Sequence, residues 1–168
     1  MPGRPLAVCV HVMRHLLPKP VERVALKVAY RLRKHWRQIA RPQLHAITVI
    51  IRDPAGRVLF IRHSYGPANW TLPSGGIARK EAPEDAARRE MHEELGVSLG
   101  EMTAVDTFEE TVSGAPQTAH VFTAAIEDEP QPDGREVIAA QFFALDQLPD
   151  PLSVLTRRRL DAYLRMAG

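Results

Sequence analysis

At 168 residues, with 45% hydrophobic and 25% charged side chains and a formal net charge of +2, the chain has an ordinary globular composition. It is long enough for one domain with a proper core and an appendage. Its one cysteine, Cys9, excludes an internal disulfide and fits a reducing cytoplasm, and no apolar run approaches the roughly 18 residues of a membrane-spanning helix.

Charge is unevenly spread. Residues 1–44 hold ten Lys or Arg against Glu22 alone, giving +9, whereas the remainder holds 12 basic and 19 acidic residues, giving −7. We read 1–43 as a basic helical extension and 44–168 as the main domain. Val21, Val24, Ala25, Val28, Ala29, Leu32, Trp36 and Ile39 recur at three- and four-residue steps, which predicts an amphipathic helix from after Pro20 to before Pro42. Three uses compete for it. Its apolar stripe can pack on the main domain or on a second subunit, as in a homodimer, with Arg and Lys facing water. It can lie on an anionic membrane surface, which Trp36 suits. It can also serve as a targeting segment or an RNA-binding arm. Residues 1–20 are expected to contain a short helix around Val8 to Leu17.

From Leu44 the texture turns β. Ala46 to Ile51 is a β-branched run, Asp53-Pro54-Ala55-Gly56 is a turn, and Val58 to Ile61 is a second run, so a hairpin is predicted. A loop, Arg62 to Pro67, then leads to Trp70-Thr71-Leu72-Pro73-Ser74-Gly75-Gly76.

Pro83, followed by Glu84 and Asp85, predicts a helix start, and Gly96 predicts its end just after Leu95. On that helix Glu90, Glu93 and Glu94 stand at i, i+3 and i+4, within one arc of about 100°. Like-charged neighbours repel and raise one another's pKa unless a cation sits among them; a hard divalent ion with oxygen ligands, of the kind shared with substrate phosphates, relieves that repulsion. A solvated acidic face softened by Arg88 and Arg89 is the alternative. His63 and His92 suit softer metals and are set aside as ligands.

Beyond the helix, Thr103 to Thr111 and Thr118 to Ile126 read as two strands around a Ser113-Gly114-Ala115-Pro116 turn. A polar loop from Glu127 to Gly134 follows, then Phe142-Phe143-Ala144-Leu145-Asp146-Gln147-Leu148-Pro149, and a covering helix from Leu152 to Met166.

Gly75, five residues, Glu81, seven residues, Arg89-Glu90, an apolar residue, any residue, Glu93-Glu94, any residue, Gly96 and an apolar residue together resemble the Nudix box with no defining position missing. The lead-in at Trp70 to Gly76 and the stretch Phe142 to Pro149 are similar to segments that flank the box in that family, so the resemblance covers about residues 44–167. It implies an α/β/α sandwich with mixed β-sheet, carrying the N-terminal helix in addition. It further implies that Glu90, Glu93, Glu94 and the carbonyl of Ser74 bind Mg2+ or Mn2+, and that Arg89 holds Glu90 while Glu81 acts at the edge of the metal shell.

Hydrolysis of a pyrophosphate bond in a nucleoside diphosphate linked to another moiety is the implied reaction, by water attack at phosphorus. Glu94 or Glu136 is the candidate base, and Glu109 and Glu110 are weaker ones because neighbouring strand residues face opposite ways. Arg62, Tyr65 and Trp70 are the candidate contacts to a small-molecule nucleotide-type substrate. Ser74 and Lys80 stand where the family often has glycine, so Lys80 is strained if its turn needs a positive φ. Val112 replaces a proline seen in proteins resembling ADP-ribose hydrolases, and no tyrosine lies between Tyr65 and Tyr163, so the subfamily stays open. The alternative from another class is a catalytically silent module that binds a nucleotide or partner as a regulator.

Overall fold

The computed structural model of the chain describes residues 19–168. The short helix expected around Val8 to Leu17 lies outside the described residues. Among those described, helix α1 spans Lys19–Ala40, strand β1 Leu44–Arg52, β2 Val58–His63, β3 Ser74–Gly76, helix α2 Pro83–Leu95, β4 Met102–Val112, β5 Ala115–Ala125, β6 Val137–Phe143 and helix α3 Val154–Ala167.

The strands form one mixed sheet in the order β4-β5-β1-β2-β6, with β3 also on β1. Along its whole length β1 pairs with β5 in parallel, from Leu44 opposite Gln117 to Arg52 opposite Ala125. Its other edge is divided: antiparallel β3 takes Ala46 to Thr48, and β2 meets it at Arg52. A strand covered on both faces reads as a continuous β-branched run, which is what Ile47 to Ile51 is.

Alternation along β1 separates two cores. Ile47, Val49 and Ile51 join Ala87, Met91 and Leu95 of α2 on one face, whereas Ile50 joins Phe60, Leu72, Leu160 and Tyr163 under α3 on the other. The result is the α/β/α sandwich that the resemblance implies. Met91 is fully buried in the first core, where truncation to alanine costs about 2–5 kcal/mol.

Local chemistry sets the ends of α2. Pro83 occupies the first turn, and Gly96, at φ 67°, lets its own N–H reach the His92 carbonyl while the Val97 N–H reaches Met91. The β4–β5 hairpin is tighter than expected, since only Ser113 and Gly114 turn, both at positive φ, and Ala115 and Pro116 already belong to β5. Pro116 is tolerated because pairing with β1 begins only at Gln117.

Helix α1 forms where expected but is turned over. Val21, Val24, Val28, Leu32, Trp36 and Ile39 are between 51% and 85% exposed, so the stripe does not pack on the domain as the first of the three readings has it. Contact is made through the opposite, polar face. Glu22 pairs with Arg135 at 3.0 Å, Arg23 donates twice to the Gly134 carbonyl, and the Tyr30 ring lies 5.5 Å from that of Tyr65. The reason is that the loops beneath offer carbonyls, charge and an aromatic ring, which polar side chains satisfy and valines do not.

Candidate active site

The site begins with a missing side chain. A Cβ placed on Gly75 would stand 2.2 Å from Glu90 Cγ and 2.4 Å from its Cδ, so only glycine lets α2 lay this carboxylate against β3. Glu90 is thereby left 14% exposed at the side chain.

Arg89 ties this region together. Its Nε and Nη2 donate to the two carboxylate oxygens of Glu81 at 2.8 and 2.9 Å, its Nη1 to Glu90 at 2.8 Å, and Nη2 also to the Gly76 carbonyl at 3.0 Å. Glu93 Oε2 lies 3.8 Å from the same Nη1. The turn that carries Glu81 closes on itself, for Glu81 accepts from the Ala78 N–H and donates its own N–H back to the Ala78 carbonyl. Within this turn Lys80 sits at φ 68°, the strained conformation foreseen for it.

Electrostatics follow the geometry. The Arg89 hydrogen bonds hold the Glu81 carboxyl below the usual carboxylate range. Glu90 goes the other way: burial pushes it up, Arg89 opposes, and Glu93 and Glu136 add to the rise. Glu136 comes from the loop before β6, so tertiary structure brings it to the α2 carboxylates. Glu94 is buried, 4% exposed, and its charge reaches the Tyr65 hydroxyl.

Tyr65 donates to Glu136 Oε2 at 3.1 Å and stacks on His63. Burial, then Glu136 and Glu94, push its phenol well above its ordinary range, so it stays a donor. Asp133 sets Glu136 in place by accepting the N–H groups of Arg135, Glu136 and Val137. Neither Asp133 nor Tyr30 was singled out from sequence. The Asp133-Gly134 turn pair was a usable signal for the first; nothing marked Tyr30, which lies away from the apolar stripe.

The donor set fits a hard divalent ion. It is all carboxylate oxygen, one member being driven up by desolvation, together with the Ser74 main chain, where φ is not positive. Among the described residues no three His, Cys, Asp or Glu side chains already converge as a closed cage. Magnesium needs none, since it uses one or two carboxylates with waters and phosphates.

Beside the box opens a cleft of about 990 Å3 whose lining includes Thr48, Ser74, Gly75, Glu81, Arg37 and Arg159, but not the three α2 carboxylates. Thr48 and Ser74 share a hydroxyl contact of 3.0 Å on its wall. None of Arg62, Tyr65 and Trp70 lines it. Trp70 packs edge-on to Phe143 against the core under α3, and Arg62 lies over the Trp70 ring, on the face away from His63 and Tyr65. Tyr65 is thus the one of the three brought to the carboxylates. Glu109 is exposed, and Glu110 is engaged by Arg159 at 2.6 Å and by Gln117.

The NUDIX domain model matches residues 42–164, and the chain belongs to that family. It is 31% identical to a MutT NUDIX hydrolase from Burkholderia pseudomallei, with a TM-score of 0.66 over 72% of this chain and 98% of that one. The NUDIX domain of Shewanella oneidensis NrtR, solved with ADP ribose, is 17% identical with a TM-score of 0.65, over 76% of this chain and 90% of that one; it shows the fold alone. An RNA pyrophosphohydrolase from Saccharophagus degradans is 41% identical over 51 residues, 30% of each chain. One from Pseudomonas aeruginosa PAO1 is 39% identical over 56 residues, 33% of this chain and 35% of the relative. The chain therefore spans about a third of the length of the curated relatives it matches. Among the described residues no helix is long and apolar enough to cross a membrane.

Proposed function

We propose that the protein hydrolyses a pyrophosphate bond in a nucleoside diphosphate derivative, using Mg2+ or Mn2+, in the cytoplasm. The observation that carries this reading is Arg89 bridging Glu81 and Glu90 while Glu136 arrives beside them from the loop before β6. Glu90, Glu93, Glu94 and the Ser74 carbonyl are the groups that would hold the ion. When bound, it would neutralise phosphate charge and lower the pKa of the attacking water.

The protein's own residues do the remaining work. Arg89 orients Glu90 and Glu81, and Gly75 leaves the room in which Glu90 lies. Glu136, held by Tyr65 and Asp133, or Glu94, takes the proton from water. Arg37, on the wall of the cleft, supplies positive charge where phosphate oxygens would enter.

For substrate, the similarity to RNA pyrophosphohydrolases favours including RNA carrying 5′ phosphoanhydrides, and ADP ribose, the ligand of a protein that shares the fold, joins the panel for comparison. The test is to incubate purified protein and magnesium with these and with other nucleoside di- and triphosphate derivatives. Glu93→Gln and Glu94→Gln variants run alongside, and products are identified. Turnover that falls roughly a hundredfold or more in the variants supports the reading. Absence of turnover on every compound, with tight binding of one, favours the regulatory module.

A further inference from the structure

We propose that the outer face of α1 is a docking surface for an anionic lipid bilayer. Six large apolar side chains, Val21, Val24, Val28, Leu32, Trp36 and Ile39, follow one another at helical steps along about 27 Å of helix, and all are at least half exposed. They are most of the exposed large hydrophobic side chains among the described residues, gathered on one line. Lys27, Arg31 and Lys34 run beside that line at steps of four and three, also exposed. The helix carries seven Lys or Arg against Glu22, and Glu22 is turned inward to Arg135.

Both features need one partner. A bilayer containing anionic lipid takes the apolar side chains below the headgroups, leaves Trp36 at the interface, and meets the basic row with phosphates. A second copy of the chain meets only half of this. Antiparallel pairing would bring two helices of net +6 together, and six side chains from one helix fall well short of the roughly 20–30 residues per side of a standard interface. RNA would engage the basic row and leave the apolar line in water.

Docking has a consequence for the site. The inner face of α1 rests on Tyr65 and on the Gly134–Arg135 turn, so the bilayer would lie about one helix diameter, about 10–12 Å, from the loop that holds Glu136.

The experiment is vesicle flotation with the full chain, using phosphatidylcholine alone and phosphatidylcholine mixed with phosphatidylglycerol, at low and high salt. Light scattering and RNA retention accompany it. One variant is Val28→Asp with Leu32→Asp, which changes exposed side chains; the other is Lys27→Gln with Arg31→Gln and Lys34→Gln. Near-UV circular dichroism and the unfolding temperature confirm that both keep the fold. Wild type should float with the anionic vesicles, and each variant, like high salt, should lower partitioning by roughly tenfold or more. Failure of wild type to float, or flotation untouched by both variants, overturns the proposal. So does a dimer that Val28→Asp with Leu32→Asp dissociates in a protein that does not float, which would make the face a subunit interface. Salt-sensitive RNA retention without flotation would assign it to RNA instead. None of these readouts depends on hydrolysis, so the outcome is separable from the catalytic reading.

Discussion

Gly75 and Glu90 share one space: the glycine has no side chain where the glutamate lies, and a single methyl group would overlap Glu90 Cγ at 2.2 Å. A backbone position on β3 thus decides where a carboxylate on α2 can be. Gly75→Ala should leave the sheet intact but turn Glu90 away, lowering turnover roughly 10–100-fold and shrinking any rise in unfolding temperature on adding magnesium. Wild-type rates in that variant would show that Glu90 needs no such seat.

Arg89 makes four hydrogen bonds that a lysine cannot reproduce, because the planar fork reaches both oxygens of Glu81 while its third nitrogen serves Glu90. Arg89→Lys should cost about 1–3 kcal/mol in urea unfolding and roughly 10–100-fold in rate. An active lysine variant would reduce the role of Arg89 to simple charge.

Glu136 and Tyr65 can be told apart by kinetics. If Glu136 is the base, Glu136→Gln should lower kcat by about 10²–10⁴. Tyr65→Phe, which removes only the 3.1 Å donor to it, should stay within roughly tenfold of wild type. A larger loss in Glu94→Gln than in Glu136→Gln would place the base on α2.

His63 supplies a pH dependence. Burial lowers its pKa, with Glu136 only partly opposing, so as pH falls the unfolded chain takes up a proton before the native protein does. The stability His63 contributes is therefore present above about pH 6.5 and is lost as pH falls through its depressed native value, at no more than about 1.4 kcal/mol per pH unit. His63→Phe keeps a ring for Tyr65 to stack on and should flatten the unfolding temperature between about pH 5 and 7. An unchanged slope would assign it to other groups.

Arg159 and Glu110 form a pair whose side chains are 9% and 5% exposed. Arg159→Met should destabilise the protein by about 3–5 kcal/mol, because the buried Glu110 carboxyl group is left without its closest cation. Adding Glu110→Leu should recover most of that loss in equilibrium unfolding.

Much of the site's framework was legible from local signals. Pro83 and Gly96 act on their own turns of helix, so the ends of α2 followed from residue type, and the spacing of Glu90, Glu93 and Glu94 placed them on one face wherever the helix packs. Lys80 was legible in the same way, as a side chain in a turn that prefers none. Arg62 and Trp70 were not: adjacent strand residues face opposite ways, and which face meets α2 depends on register, so both belong to the core side under α3.

The sequence by itself determined the three helices and strands β1, β2, β4 and β5, the box and the amphipathic character of α1, because each is a matter of periodicity and turn chemistry within one stretch of chain. Only the tertiary structure decided that Glu136 and Tyr65 meet the α2 carboxylates and that Gly75 seats Glu90. It also decided that α1 meets the domain through Glu22, Arg23 and Tyr30 and turns its valines to water. An amphipathic helix has two faces, and the surface beneath it, here carbonyls, Arg135 and a tyrosine ring, selects which one it receives.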